Sequence, residues 1–214
     1  TYWGWMLSGR HVQRRVGPHG LLDGVLTDTD LLWPKGQRHQ VYRATRIRYS
    51  AWLIIKAPAQ TTDHGFLESL YRINRELSIY QSFKGTDKNQ VLTEIDDYRK
   101  NVLAWASAGD IILDELGELE MRIQADEISM LRHRFAVEVF GESLIDLDNA
   151  VKEVTNTIES WSYPVARESV NQEVLFWSRF PGAHEWNPRI RSITSENAAH
   201  FAPFSTVGEG FDTD

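Results

Sequence analysis

Cysteine is missing from all 214 residues. Disulfides, thiolate metal sites and a cysteine nucleophile are therefore excluded, and the composition fits a reducing compartment. Long apolar runs are missing too. The longest is AWLII at Ala51 to Ile55, far short of the roughly 18 residues of a spanning helix, so any membrane role read from the sequence is peripheral. The opening TYWGWMLSGR has neither the basic start nor the apolar stretch of a secretory leader. A phosphate-binding Gly-x-x-x-x-Gly-Lys-Ser/Thr loop is also lacking. Gly17, Gly20 and Gly24 have the wrong spacing, enclose Pro18 and are followed by no lysine, so they read as turns. No Gly-x-Ser-x-Gly elbow for a serine nucleophile occurs.

What is present describes an ordinary globular protein. Apolar residues make up 42% and charged residues 25%, and a chain of this length buries roughly 70% of its unfolded surface, enough to fold without staples. Charge is unevenly placed. Residues 1–60 hold nine Lys/Arg against three acids, net +6, which leaves −13 for the rest of a chain of net charge −7. Within that basic front, Trp3, Trp5, Arg10, His11, Arg14 and Arg15 interleave aromatic rings with cations, as stacking on bases and phosphate contact require. The same split suits an acidic protein surface, an anionic lipid surface, or two oppositely charged faces of one protein.

Along the chain the hydrophobic period changes twice. QVYRATRIRYSAWLIIKAP alternates between Arg46 and Ala51 and is rich in strand formers, predicting strands that end at Pro58. After Thr62 and Asp63, two N-cap candidates, Phe66, Leu70, Ile73, Leu77 and Tyr80 predict one helix face running to Gly85. Val91, Ile95, Tyr98, Val102 and Trp105 predict a second helix, with Gly109 as its C-terminal stop, and Ile112, Leu116, Leu119 and Ile123 a third. These segments read as a helical hairpin or small bundle. RHRFAVEVF then alternates as a half-buried strand, Ser143 and Asp146 form a capping box, and Leu147, Val151, Val154, Ile158 and Trp161 line the next helix. SYPVARESV predicts a strand and NQEVLFWSRF a short helix. The fold class is α+β, a mixed sheet covered by helices with a helical subregion. The parts are a β-rich basic segment over 1–60, a helical subregion over 61–128, a β-α-β-α unit over 129–206, and a linker beginning at 207–214.

Other candidate chemistry is thin. The seven histidines, His11, His19, His39, His64, His133, His184 and His200, show no metal-binding spacing. His184 beside Glu185 offers an acid-base pair only if the fold supplies a partner. Asp28 with Asp30, and Asp212 with Asp214, lack the further oxygen ligands of a calcium loop.

From about residue 131 to 206 the order of pieces carries a resemblance. A strand is followed by a helix opening with SLIDLD, a strand with VARES, a helix with VLFWSRFPG, and then RSITSENAAHFAPF. This order resembles the N-terminal domain of the CagE/TrbE/VirB family, the conjugation ATPases of type IV secretion systems. The helices between 63 and 128 are similar to the family's layout, whereas residues 1–60 show no specific match. The resemblance implies that RSITSENAAHFAPF leads into an absent motor domain. That domain would bind ATP and Mg, leaving this part without a cofactor, a metal or a catalytic residue of its own. The expected role is docking: holding the motor to other type IV secretion subunits while peripheral to the bacterial inner membrane on its cytoplasmic side, with self-association through the parent ATPase. Interface candidates are Trp3, Trp5, Arg10, Arg14, Arg15 and Trp186, the tryptophans serving equally well as core residues. The alternatives are a nucleic-acid-binding module for the transferred strand and a hydrolase using His184 and Glu185.

Overall fold

A computed structural model describes residues 6–8, 29–44, 46–57, 62–104 and 109–202. The chain divides into two compact units.

The first unit comprises Thr1–Ala59, Leu70–Tyr80 and Phe135–Arg189. Its antiparallel strands are β1 (Asp30–Leu32), β2 (Gln40–Arg43) and β3 (Ile47–Ile55), followed by the Phe135–Gly141 part of β5 (Met130–Gly141). The short β6 (Val165–Arg167) lies against the far half of β3, pairing Leu53 with Arg167 and Ile55 with Val165. Register follows side-chain alternation, with Trp52 opposite Glu138 and Ile54 opposite Ala136. Helix α4 (Leu144–Ser160) covers one face, burying Leu147, Ala150, Val151, Val154 and Ile158. Each of the buried Leu, Val and Ile side chains contributes about 1.5–3 kcal/mol. The expected cap is present, for the Ser143 side chain accepts from the Asp146 N–H. The other face is covered by α5 (Gln172–Ser178), whose Leu175 and Phe176 join Tyr42, Trp52, Ile54, Ala136 and Phe140 in one cluster. The Phe135–Gly141 part of β5 is therefore buried on both faces rather than on one. Alternation alone cannot report a second covering helix.

The second unit comprises Gln60–Ser69, Gln81–Arg134 and Ile190–Asp214. Helices α2 (Lys88–Ala104) and α3 (Gly109–Gln124) pack together as a hairpin around Val91, Ile95, Ile123 and Ile128. Here Met130–Arg134 of β5 pair with β7 (Ile190–Thr194), matching Arg132 with Ser192. Helix α6 (Ser195–His200) starts where the Thr194 side chain accepts from the Asn197 N–H. Phe201 packs edge-to-face on Phe66 and against His133, and His133 stacks on Phe83 at 4.5 Å.

The helix expected from Thr62 to Gly85 is instead two elements, α1 (Phe66–Tyr71) and strand β4 (Leu77–Gly85). Leu70, Leu77 and Tyr80 satisfy a helical spacing, but LSIYQSF also alternates, and pairing beside β5 decides in favour of the strand. Gly109 opens α3 rather than closing the helix before it. Pro58 and Trp105 lie outside the described residues. Among the described residues, no helix is long and apolar enough to cross a membrane.

Candidate interaction surface

The first unit holds a charge pair sealed from solvent. Arg179, just past α5, donates from Nη1 to Glu138 Oε2 at 2.6 Å, and the two side chains are 1% and 0% exposed. Burying such charges costs several kcal/mol each unless their remaining atoms are satisfied. Glu138 Oε1 accepts from the Tyr42 hydroxyl at 2.6 Å, Gln40 Nε2 at 2.5 Å and Ser50 Oγ at 2.8 Å. Gln40 Oε1 accepts in turn from the indole N–H groups of Trp33 and Trp52, at 3.0 and 3.2 Å. The guanidinium carbon of Arg179 sits 3.9 Å from the centroid of the Phe176 ring, a cation–π placement favoured where water is excluded. Burial opposes the Arg179 charge, but Glu138 outweighs it and holds the guanidinium above its usual range. Burial, then the Glu138 charge, raises Tyr42 well above an ordinary phenol. The network fixes the C-terminal end of α5 onto the sheet.

A second anchor fixes its start. Glu168 Oε1 accepts from the backbone N–H groups of Ser169, Val170 and Asn171 at 3.0, 3.0 and 3.3 Å. Its Oε2 accepts from Arg189 Nε at 3.0 Å and Nη2 at 2.6 Å. Burial pushes the Glu168 carboxyl up, but Arg189 and the three N–H groups prevail and hold it below the usual carboxylate range. One side chain thus clasps the turn entering α5 and the segment after the 3₁₀ turn His184–Trp186.

Between these anchors lies an exposed apolar face. Val174 and Trp177 lie three apart on α5 and are 37% and 38% exposed, Val170 in the turn before the helix is 84% exposed, and Leu175 and Phe176 point into the core. The 3₁₀ turn packs against α5 and carries Trp186, 62% exposed. Glu173 and Glu185 are also exposed on these two elements. Rings of this size on a firmly held backbone make strong anchors for another protein.

Of the interface candidates read from sequence, Trp186 is on this surface and is not a core residue. Trp3, Trp5, Arg10, Arg14 and Arg15 lie outside the described residues, as do Asp28, Asp212 and Asp214. Asp30 pairs with Arg43 at 2.9 Å. His184 and Glu185 are both exposed on the 3₁₀ turn. Sequence reasoning missed Trp177, Glu138, Arg179 and Glu168. The one usable signal was in EVLFWS, where apolar residues occupy both faces of a short helix.

Residues 15–189 match the family model described as "CagE, TrbE, VirB family, component of type IV transporter system". The chain belongs to that family. The match begins at Arg15 and so takes in most of the front segment, in which the sequence alone offered no specific resemblance. Among curated relatives, the type IV secretion system protein PtlC homolog of Bordetella bronchiseptica is 22% identical over 199 residues, 93% of this chain and 24% of that protein. PtlC of Bordetella pertussis is 22% identical over 200 residues, again 93% and 24%. The type IV secretion system protein virB4 of Bartonella quintana is 22% identical over 149 residues, 70% of this chain and 19% of its own length. The chain spans about a quarter of the two PtlC relatives.

Proposed function

We propose that this chain is the docking and assembly part of a type IV secretion ATPase, holding the motor to other subunits of the secretion channel at the cytoplasmic side of the inner membrane. The observation that carries the reading is the exposure of Val174 and Trp177 on α5 and of Trp186 on the 3₁₀ turn packed against it, with α5 held between the Glu138–Arg179 and Glu168–Arg189 anchors. Family membership supports the setting. The relatives run well beyond the stretch that this chain matches; on this reading ATP and Mg binding belong to that remainder and a holding role to this part. The contact surface combines large rings with nearby acids, which suits a partner presenting apolar and basic groups.

The test uses the full-length protein reconstituted with its purified inner-membrane channel subunits. Trp177→Ser with Trp186→Ser should weaken co-assembly at least 10-fold while leaving nucleotide turnover of the free protein unchanged. Because Trp177 also packs on Phe176 and Phe180, Trp186→Ser alone, at a residue 62% exposed, is the variant that should weaken co-assembly with no change in melting temperature. Unaltered co-assembly would refute the reading. A DNA titration over a salt series addresses the rival: tight binding with a steep salt slope, lost with the same two tryptophans, would make this a strand-binding module instead.

A further inference from the structure

The loop between β1 and β2, in the first unit, is fixed along its length. The Gln37 N–H donates to the Pro34 carbonyl at 3.1 Å, closing a turn in which Gly36 takes φ +76°, a left-handed conformation that glycine adopts without strain. Gln172, buried at the start of α5, donates from Nε2 to the Gln37 carbonyl at 2.7 Å and to the Ser169 carbonyl at 3.3 Å. One side chain therefore ties the loop to the turn that carries the exposed Val170. A residue further on, Arg167 Nε donates to the Arg38 carbonyl at 2.6 Å. At the loop's start Trp33 packs edge-on against Phe176 of α5 at 5.7 Å.

This fixed backbone carries cations that the fold does not use. Lys35 and Arg38 are exposed, and among the described residues neither has an ion-pair partner. Asp148, which Arg167 brings to the loop, is itself held by Arg167 Nη1 at 2.6 Å. A loop already ordered loses little backbone freedom when a partner arrives. We propose that Lys35 and Arg38 are the cationic arm of the docking face and pair with carboxylates of the partner protein, beside the apolar group that it sets against Val170. The proposal rests on the docking reading and adds a direction to it. Glu173 is exposed on α5, so the partner presents acid to the loop and base to the helix, and this change of sign fixes which way round it docks. A polyanion such as DNA would be attracted at the loop but repelled at Glu173.

The full-length protein, reconstituted with its purified inner-membrane channel subunits, is treated with a zero-length carbodiimide, which joins an amine to a carboxylate only where the two touch. Mass spectrometry should find Lys35 linked to an aspartate or glutamate of a channel subunit. Lys35→Arg should remove that link yet keep co-assembly, since a guanidinium pairs with carboxylates but is not coupled by the reagent. Lys35→Glu with Arg38→Glu should weaken co-assembly at least 10-fold, and Lys35→Gln with Arg38→Gln should weaken it less. Both variants should keep the wild-type melting temperature, because neither residue is buried or ion-paired among the described residues. Co-assembly indifferent to the charge reversal while Trp186→Ser still weakens it would overturn the proposal and leave the docking reading standing. Co-assembly indifferent to both would overturn the two together. No link from Lys35 to a channel subunit, or charge reversal that abolishes binding to DNA or to anionic vesicles with co-assembly intact, would also overturn the proposal.

Discussion

Arg179 Nη1 and Glu138 Oε2 meet 2.6 Å apart with neither side chain open to water. The pair ties the end of α5 to β5, with Phe176 stacked under the guanidinium. Removing one partner strands the other charge in a place where it cannot be hydrated. Arg179→Met should therefore cost about 3–5 kcal/mol in urea unfolding. The double variant Arg179→Met with Glu138→Leu should recover part of that loss, since it buries no uncompensated charge. A double-variant loss equal to the sum of the two single losses would show that the two side chains do not act as a pair.

Gly141 ends β5 where helix α4 crosses close above it. A methyl group there would meet the Leu147 backbone nitrogen at 2.5 Å and its Cα at 2.7 Å. A backbone cannot step aside as a flexible side chain does, so Gly141→Ala should destabilise the first unit by about 2 kcal/mol or more. Thermal melts check this. Gly85→Ala is the control, because a methyl group there has nothing within 4 Å.

His133 is pushed down to about 4 by burial, lying between Phe83 and Phe201 with Gln81 Oε1 3.4 Å from its Nε2. A histidine with a depressed folded pKa stays neutral in the fold while the unfolded chain takes up a proton. Its contribution is complete above about pH 6.5 and is lost as pH falls towards 4, on the order of 3 kcal/mol in all. Unfolding free energies measured from pH 7 to pH 4 should show this slope, and His133→Phe should flatten it. An unchanged slope would assign the acid sensitivity to other groups.

Much of the fold was legible because its strongest signals are local. The capping box at Ser143, the stripe Leu147, Val151, Val154 and Ile158, and the spacing Ile112, Leu116, Leu119, Ile123 needed no distant partner to be read. The segment from Leu77 to Gly85 was misread because its apolar residues fit two periods, and only the neighbouring strand separates them. The candidate surface was less visible still. Trp186 stood out by residue type, but Trp177 is exposed only because Phe176 beside it is the residue the core takes. Glu138, in a run of strand formers, looked like a solvent-facing residue. Its partners Gln40, Tyr42 and Arg179 lie 98, 96 and 41 positions away, beyond any local pattern.

The docking account is tested most directly by placing a photocrosslinking amino acid at position 177 of the full-length protein in cells assembling the secretion channel, with position 84 as a control outside the apolar face. The account predicts crosslinks from position 177 to an inner-membrane channel subunit, abolished by Trp186→Ser, and none to that subunit from position 84. Crosslinks from position 177 to DNA alone, or the same pattern from both positions, would contradict it.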